Sequence, residues 1–113
     1  MQNFTKIMKS LSDPIRVKIL KMLQRKAMCV CEIQHALKTA QSTTSKHLKI
    51  LESSGLIISK KNGLWVNYCI ADGSSSPYAA SLLGNLRHWL EDEPEIIELM
   101  NILPDINREN LVN

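Results

Sequence analysis

Residues 27 to 37 read AMCVCEIQHAL, so two thiols, Cys29 and Cys31, stand one residue apart with Glu32 and His35 close behind. Thiols in such a pair serve three chemistries: they hold a thiophilic metal or metalloid ion, they form a redox couple, or they fill a core as small hydrophobes. The third cysteine, Cys69, makes an odd total. Without an export signal that count argues against a disulfide framework and for reduced, cytoplasmic thiols. Glu32 and His35 are harder donors, and their simpler roles are a first-turn dipole partner and a solvent-facing helix residue.

Two residues apart on a regular helix means side chains about 200° apart. Both thiols can therefore grip one ion only where the helix start is unwound or distorted. The same angle keeps the pair from facing one core together.

The elements that must position these thiols follow from pattern. Phe4, Ile7, Met8 and Leu11 recur at helical spacing over residues 3–11. Asp13 caps a second helix with Pro14 at its first position and Ile15, Ile19, Met22 and Leu23 as its stripe. A short third helix is expected over Cys31–Leu37. After a break at 39–41, Ser42 is the expected N-cap of a fourth, with Thr44, Leu48 and Leu51 inward and Gly55 as its stop. LIISKKNGLWVNYCI then reads as a hairpin turning at Asn62-Gly63 in a type I′ conformation. Its second strand puts Leu64, Val66, Tyr68 and Ile70 on one face and Trp65, Asn67 and Cys69 on the other, less buried one. Tyr78, Leu82, Leu86 and Trp89 mark a fifth helix, Pro94 opens a sixth, and the polar residues from 104 onward are expected to fray.

Two short helices joined by a tight turn and followed by a basic hairpin make a winged helix-turn-helix, mainly α with a small β-hairpin. One domain covers 1–113, with a recognition helix at about 42–54, a wing at about 56–70 and C-terminal helices at about 77–103. Charge agrees with a polyanionic partner. Residues 1–70 carry 12 Lys/Arg against 3 Asp/Glu, a balance of +9, whereas 71–113 carry 2 against 8, a balance of −6. Gln41, Ser42, Thr43, Ser45, Lys46 and His47 on the fourth helix suit phosphate oxygens and base edges, and Lys60, Lys61 and Asn62 at the wing tip suit the backbone of double-stranded DNA. No run of about 18 apolar residues is present for a membrane span. No C-x-x-C beside a βαβ pattern, Gly-rich phosphate loop or paired-carboxylate motif speaks for an enzyme.

LSDPIRVKIL, CVCEI, STTSKHLKILESSGLI and KNGLWVNYCI together resemble the ArsR/SmtB family of metal- and metalloid-responsive repressors, over about Leu11 to Ile70. The resemblance is strongest to the arsenic-responsive branch. It implies a homodimer built on the first and last helices, a fourth helix in the major groove, and release from the operator when As(III) or Sb(III) engages Cys29 and Cys31. Other soft ions such as Cd(II), Pb(II) and Zn(II) also suit such thiols, and a thiol-redox or reactive-sulfur response is the other reading. The sequence departs from that branch at Gln34, which stands where the arsenic site has a third cysteine, so Cys69, a buffer thiol or water would have to complete the set. A second family site, on the fifth helix, keeps His88 and Glu91 but has Ser75 and Pro77 in place of its first half.

Overall fold

The structure is a computed structural model that describes residues 1–111. Helix α1 spans Gln2–Ser10 and α2 spans Pro14–Leu23. Between them Asp13 Oδ1 accepts the Ile15 and Arg16 amides at 2.7 and 3.4 Å, satisfying two donors that a helix start leaves open. Burial alone would raise the Asp13 carboxyl, but those two amides and the nearby Arg16 guanidinium hold it below its usual range.

A strand that the sequence pattern does not reveal comes next. Strand β1 is only Met28–Cys29, yet it pairs antiparallel with β3 (Trp65–Ile70), Met28 opposite Tyr68 and Cys29 opposite Asn67. Strand β2 (Ile57–Asn62) lies on the other side of β3, giving the order β1-β3-β2. Helix α3 then runs Val30–Leu37, one residue earlier than expected, and Cys29 is its extended N-cap at φ −87° and ψ 169°. Cys29 therefore stays outside the helix, and only Cys31 lies on it.

Helix α4 spans Gln41–Ser53 with Ala40, not Ser42, at the N-cap. The local hydrogen bonding falls to buried Thr44, whose hydroxyl donates to Ala40 O at 2.9 Å and lies 2.7 Å from the Thr39 hydroxyl. Ser42 is left exposed. At the far end Gly55 adopts φ +82°. Its N–H donates to Glu52 O and the Leu56 N–H to Leu51 O, both at 3.1 Å, which is a Schellman stop.

The hairpin turns one residue later than expected. Asn62 pairs with Trp65, so the loop is Gly63-Leu64, and only Gly63 has positive φ there. That is the type II′ arrangement, with glycine in the first central position, and not type I′. Leu64 is a turn residue, 99% exposed, rather than part of the inward strand face.

Helices α5 (Pro77–Leu86) and α6 (Pro94–Ile102) complete the domain with a 3-10 turn, Leu103–Asp105, and a last helix α7, Arg108–Leu111. Helix α5 buries Ala79, Leu83 and Leu86, whereas Tyr78 and Trp89 of the expected stripe stay exposed. The helix ends before Trp89, and Leu90 takes a left-handed φ of +65°.

Three polar side chains of the α2 region are anchored to this C-terminal part. Buried Lys21 donates to Leu86 O and Trp89 O at 2.8 and 2.9 Å and pairs with Glu91 at 3.0 Å. Gln24 donates to Leu83 O, and Lys26 to Leu103 O and Ile106 O. Residues 104–111 are thus tied down and not frayed; Val112 and Asn113 lie outside the described residues. Ile19, Leu20, Met22, Met28, Ile33, Leu48, Leu51, Leu56 and Ile57 form the centre of the core.

The Schellman stop sets the angle between α4 and the wing. Replacing Gly55 puts a Cβ 3.0 Å from Ser75 Oγ on a left-handed backbone. Gly55→Ala is expected to cost about 1–2 kcal/mol, read as a lower urea midpoint. An unchanged midpoint would show that the backbone there can leave the left-handed region freely.

Candidate thiol site and nucleic-acid interface

Cys29 and Cys31 are brought together by the element boundary between them. Because Cys29 is extended and Cys31 is in the first turn of α3, the 200° separation of a regular helix does not apply. Their sulfurs lie 3.0 Å apart as free thiols. Two metal–thiolate bonds of about 2.3 Å at a tetrahedral angle need sulfurs roughly 3.8 Å apart, so a chelating pair requires an opening of under about 1 Å. No further unwinding is needed for both thiols to meet one ion, because the helix start is already broken at Cys29, the condition that the two-residue spacing sets.

Cys29 is 2% exposed and Cys31 is half-buried. Burial, the adjacent Cys31 thiol and the Glu32 charge push the Cys29 thiol up to about 11, with a hydrogen bond from the Glu32 amide working the other way. Cys29 is therefore a protonated thiol at neutral pH. Glu32 does more than face a helix dipole. Its Oε1 accepts the Cys29 N–H at 2.8 Å and its Oε2 accepts the Arg108 N–H at 3.0 Å. One carboxylate thus joins the thiol loop to α7, and the Arg108 guanidinium lies over the Trp65 ring at 4.9 Å, within cation–π range.

The thiols open onto a pocket of about 210 Å³ lined by Cys29, Val30, Cys31, Gln34, Gln41, Leu64, Trp65 and Val66. Gln34, the residue at the place of a third thiol, faces the same space. Gln41 is the first residue of α4, and Leu64 to Val66 belong to the wing. Cys69 does not line it; half-buried, it lies opposite Ile58. Among the described residues no group of three or more Cys, His, Asp or Glu side chains is placed to hold a metal ion. His35 is exposed, and Glu91 of the α5-type site is committed to Lys21.

The residues chosen for DNA contact divide into two patches. Gln41, Ser42, Thr43, Ser45 and Lys46 are exposed on α4, whose first amides have no partner within the helix. Lys60, Lys61 and Asn62 are exposed at the end of β2. Glu52 of α4 accepts from the Ser59 hydroxyl at 2.8 Å, which joins helix and wing. His47 differs from the rest: it is half-buried and held by Arg16 from α2 at 3.1 Å. Arg16, Trp65 and Arg108 escaped the sequence reading, since nothing in local spacing signals contacts 31 or more positions apart.

The family model for bacterial regulatory proteins of the arsR family matches residues 13–59, from the α2 cap into β2. An uncharacterized HTH-type transcriptional regulator of Methanocaldococcus jannaschii is 45% identical over 67 residues, covering 58% of this chain and 75% of that protein. The chain belongs to the ArsR family. As an ArsR-family member it is a DNA-binding transcriptional regulator and not an enzyme. The arsenical resistance operon repressor of Escherichia coli is 38% identical over 63 residues, 55% of this chain and 54% of the repressor. The match thus spans about half the length of that relative. The homodimeric winged helix-turn-helix DNA-binding domain of Mb0332 from Mycobacterium bovis superposes with a TM-score of 0.66 at 25% identity, covering 77% of each chain. Among the described residues no helix of this ArsR-family chain is long and apolar enough to cross a membrane.

The raised Cys29 thiol gives a pH signature. Alkylation needs the thiolate, so labelling of Cys29 by iodoacetamide is expected to be slow at pH 7.5 and to rise about tenfold per pH unit up to about pH 11. Peptide mapping by mass spectrometry follows it. A rate already level at pH 8 would mean that the thiol is not held protonated.

Proposed function

We propose that the protein is a homodimeric transcriptional repressor that leaves its operator when As(III) or Sb(III) binds Cys29 and Cys31. The observation that carries this reading is the paired thiols, 3.0 Å apart, in a pocket whose remaining walls are the start of α4 and the wing. Arsenous acid condenses with two thiols to give a dithiolate bearing one hydroxyl and two molecules of water. Gln34 and Gln41 are the polar groups lining the pocket that such a hydroxyl would meet. An occupant there presses on Gln41 and on Leu64 to Val66, so ligand and DNA favour different placements of helix and wing. Coupling of about 1–3 kcal/mol is typical of such linkage.

Apolar side chains left exposed on the α1 and α5 side support a homodimer. Phe4 and Tyr78 meet edge to face at 5.1 Å, and both stay partly exposed, as do Met8, Trp89 and Leu90. A second copy covering them would bury surface that a chain of this size leaves to solvent.

The thiol contact also favours a second reading. Peroxide can oxidise the two thiols to a disulfide, with two molecules of water formed from peroxide oxygen and the thiol protons. Loss of DNA binding with peroxide, restored by dithiothreitol and absent with arsenite, would select it.

Fluorescence anisotropy on the DNA upstream of the protein's own gene tests the proposal. Arsenite or antimonite is expected to weaken binding by about 5- to 150-fold. Cys29→Ser and Cys31→Ser are expected to bind DNA normally and ignore both. Failure of these variants to bind DNA, or continued response to arsenite, would refute the sensory role.

The ion's chemistry has its own signature. Condensation with arsenous acid releases no net proton, whereas Cd²⁺ must displace at least the Cys29 proton. Between pH 6 and 8 arsenite affinity is expected to stay level, while cadmium affinity rises about tenfold per pH unit or more. Arsenite affinity that climbs as cadmium's does would sink the condensation step.

A further inference from the structure

Arg16 links three helices through one guanidinium. Its Nε–H donates to Ser10 O at 2.8 Å and an Nη2–H to Lys9 O at 3.2 Å, both at the C-terminal end of α1, while Nη1 lies 3.1 Å from His47 Nδ1 on α4. A guanidinium offers donors only and keeps its charge in proteins. Nδ1 of His47 must therefore accept, which leaves the ring proton on Nε2. Among the described residues Nε2 has no hydrogen-bond partner, and no buried polar atom there lacks one, so Nε2 reaches solvent. Thr43, one turn earlier on the same side of α4, is exposed, as is the neighbouring Lys46.

We propose that Arg16 is a positioning residue for DNA recognition: it fixes His47 as the neutral Nε2–H tautomer, so the exposed ring nitrogen can only donate. This rests on the reading of α4 as the helix that meets DNA. A donor at that place selects an acceptor, either purine N7 or guanine O6 in the major groove or a phosphate oxygen, and rejects the amino groups of adenine and cytosine. A histidine free to exchange tautomers would accept either kind of partner. The same three bonds hold α4 to the end of α1, so the donor is aimed by the scaffold and not by the ring's own rotamer preference.

Two measurements test this. In long-range ¹⁵N–¹H spectra near neutral pH, His47 of the wild-type protein is expected to show one Nε2–H tautomer, and Arg16→Ala a mixture. The DNA upstream of the protein's own gene is then titrated at fixed salt with single 7-deazapurine or methylphosphonate substitutions. One substitution is expected to lower wild-type affinity about three- to tenfold, the worth of one hydrogen bond, and a 7-deazapurine or a methylphosphonate as the sensitive site tells base edge from backbone. Arg16→Ala should lower affinity for unmodified DNA by a similar factor and lose that site's penalty. Arg16→Lys keeps the charge but not the fork, and should behave like the alanine variant; denaturation midpoints show whether both fold. If His47→Ala leaves affinity unchanged, α4 is not read through this residue. If His47→Ala weakens binding but both Arg16 variants keep the single tautomer and the penalty, only the role of Arg16 is overturned.

Discussion

A two-residue antiparallel bridge governs the arrangement of the thiol-bearing end of this molecule. Met28 and Cys29 pair with Tyr68 and Asn67, and by being extended they stop α3 from starting earlier. Without that pairing Cys29 would be free to join the helix and would point away from Cys31. With it, the two sulfurs meet, and the loop carrying them is registered against the central strand of the wing. A hydrogen-bonded bridge is a small interaction, about 0.5–1.5 kcal/mol for each net bond. It decides the site because it acts where helix and strand compete for one residue.

The protein holds its C-terminal part by charged and amide side chains aimed at backbone carbonyls. Lys21, Gln24 and Lys26 reach the ends of α5 and the 3-10 turn, where the helix dipole favours a cation. Glu32 does the complementary job, accepting the nearby Cys29 amide and the distant Arg108 amide. Removing buried Lys21 would leave its carbonyl partners and Glu91 stranded, so these contacts specify which helix end docks where. They also mean that the acidic C-terminal half is neutralised in part by the basic half it folds against, leaving the α4 and wing lysines for an outside anion.

What the sequence made legible was local. Asp13 with Pro14, Gly55 and the Asn-Gly hairpin signal marked element ends, and helix order gave the winged helix. The thiol pair was visible as chemistry, but its geometry was not, because a strand of two residues has no period to detect. The hairpin register slipped by one because Gly63 serves a type I′ or a type II′ turn, and the choice depends on whether Asn62 can pair with Trp65. Of the expected helix-five stripe Leu86 is buried, with Ala79 and Leu83 beside it, whereas its aromatic ends, Tyr78 and Trp89, face outward. Aromatic rings are strong apolar signals even when they face outward. His47 was identified as a polar residue of the fourth helix, but the Arg16 that orients it lies 31 positions away, beyond any local pattern.

The ring of Trp65 forms one wall of the thiol pocket and carries the Arg108 guanidinium on its face, while the chain's other indole, Trp89, ends the α5 segment near the buried lysine. The molecule thus contains two indoles in separate neighbourhoods, one in the pocket of the sulfurs and one in an apolar pocket with Leu82, Leu86 and Leu90. A heavy atom entering between the sulfurs would share a pocket with the first and not with the second, so the protein's own emission can separate occupancy of the thiols from events at the α5 end without any label.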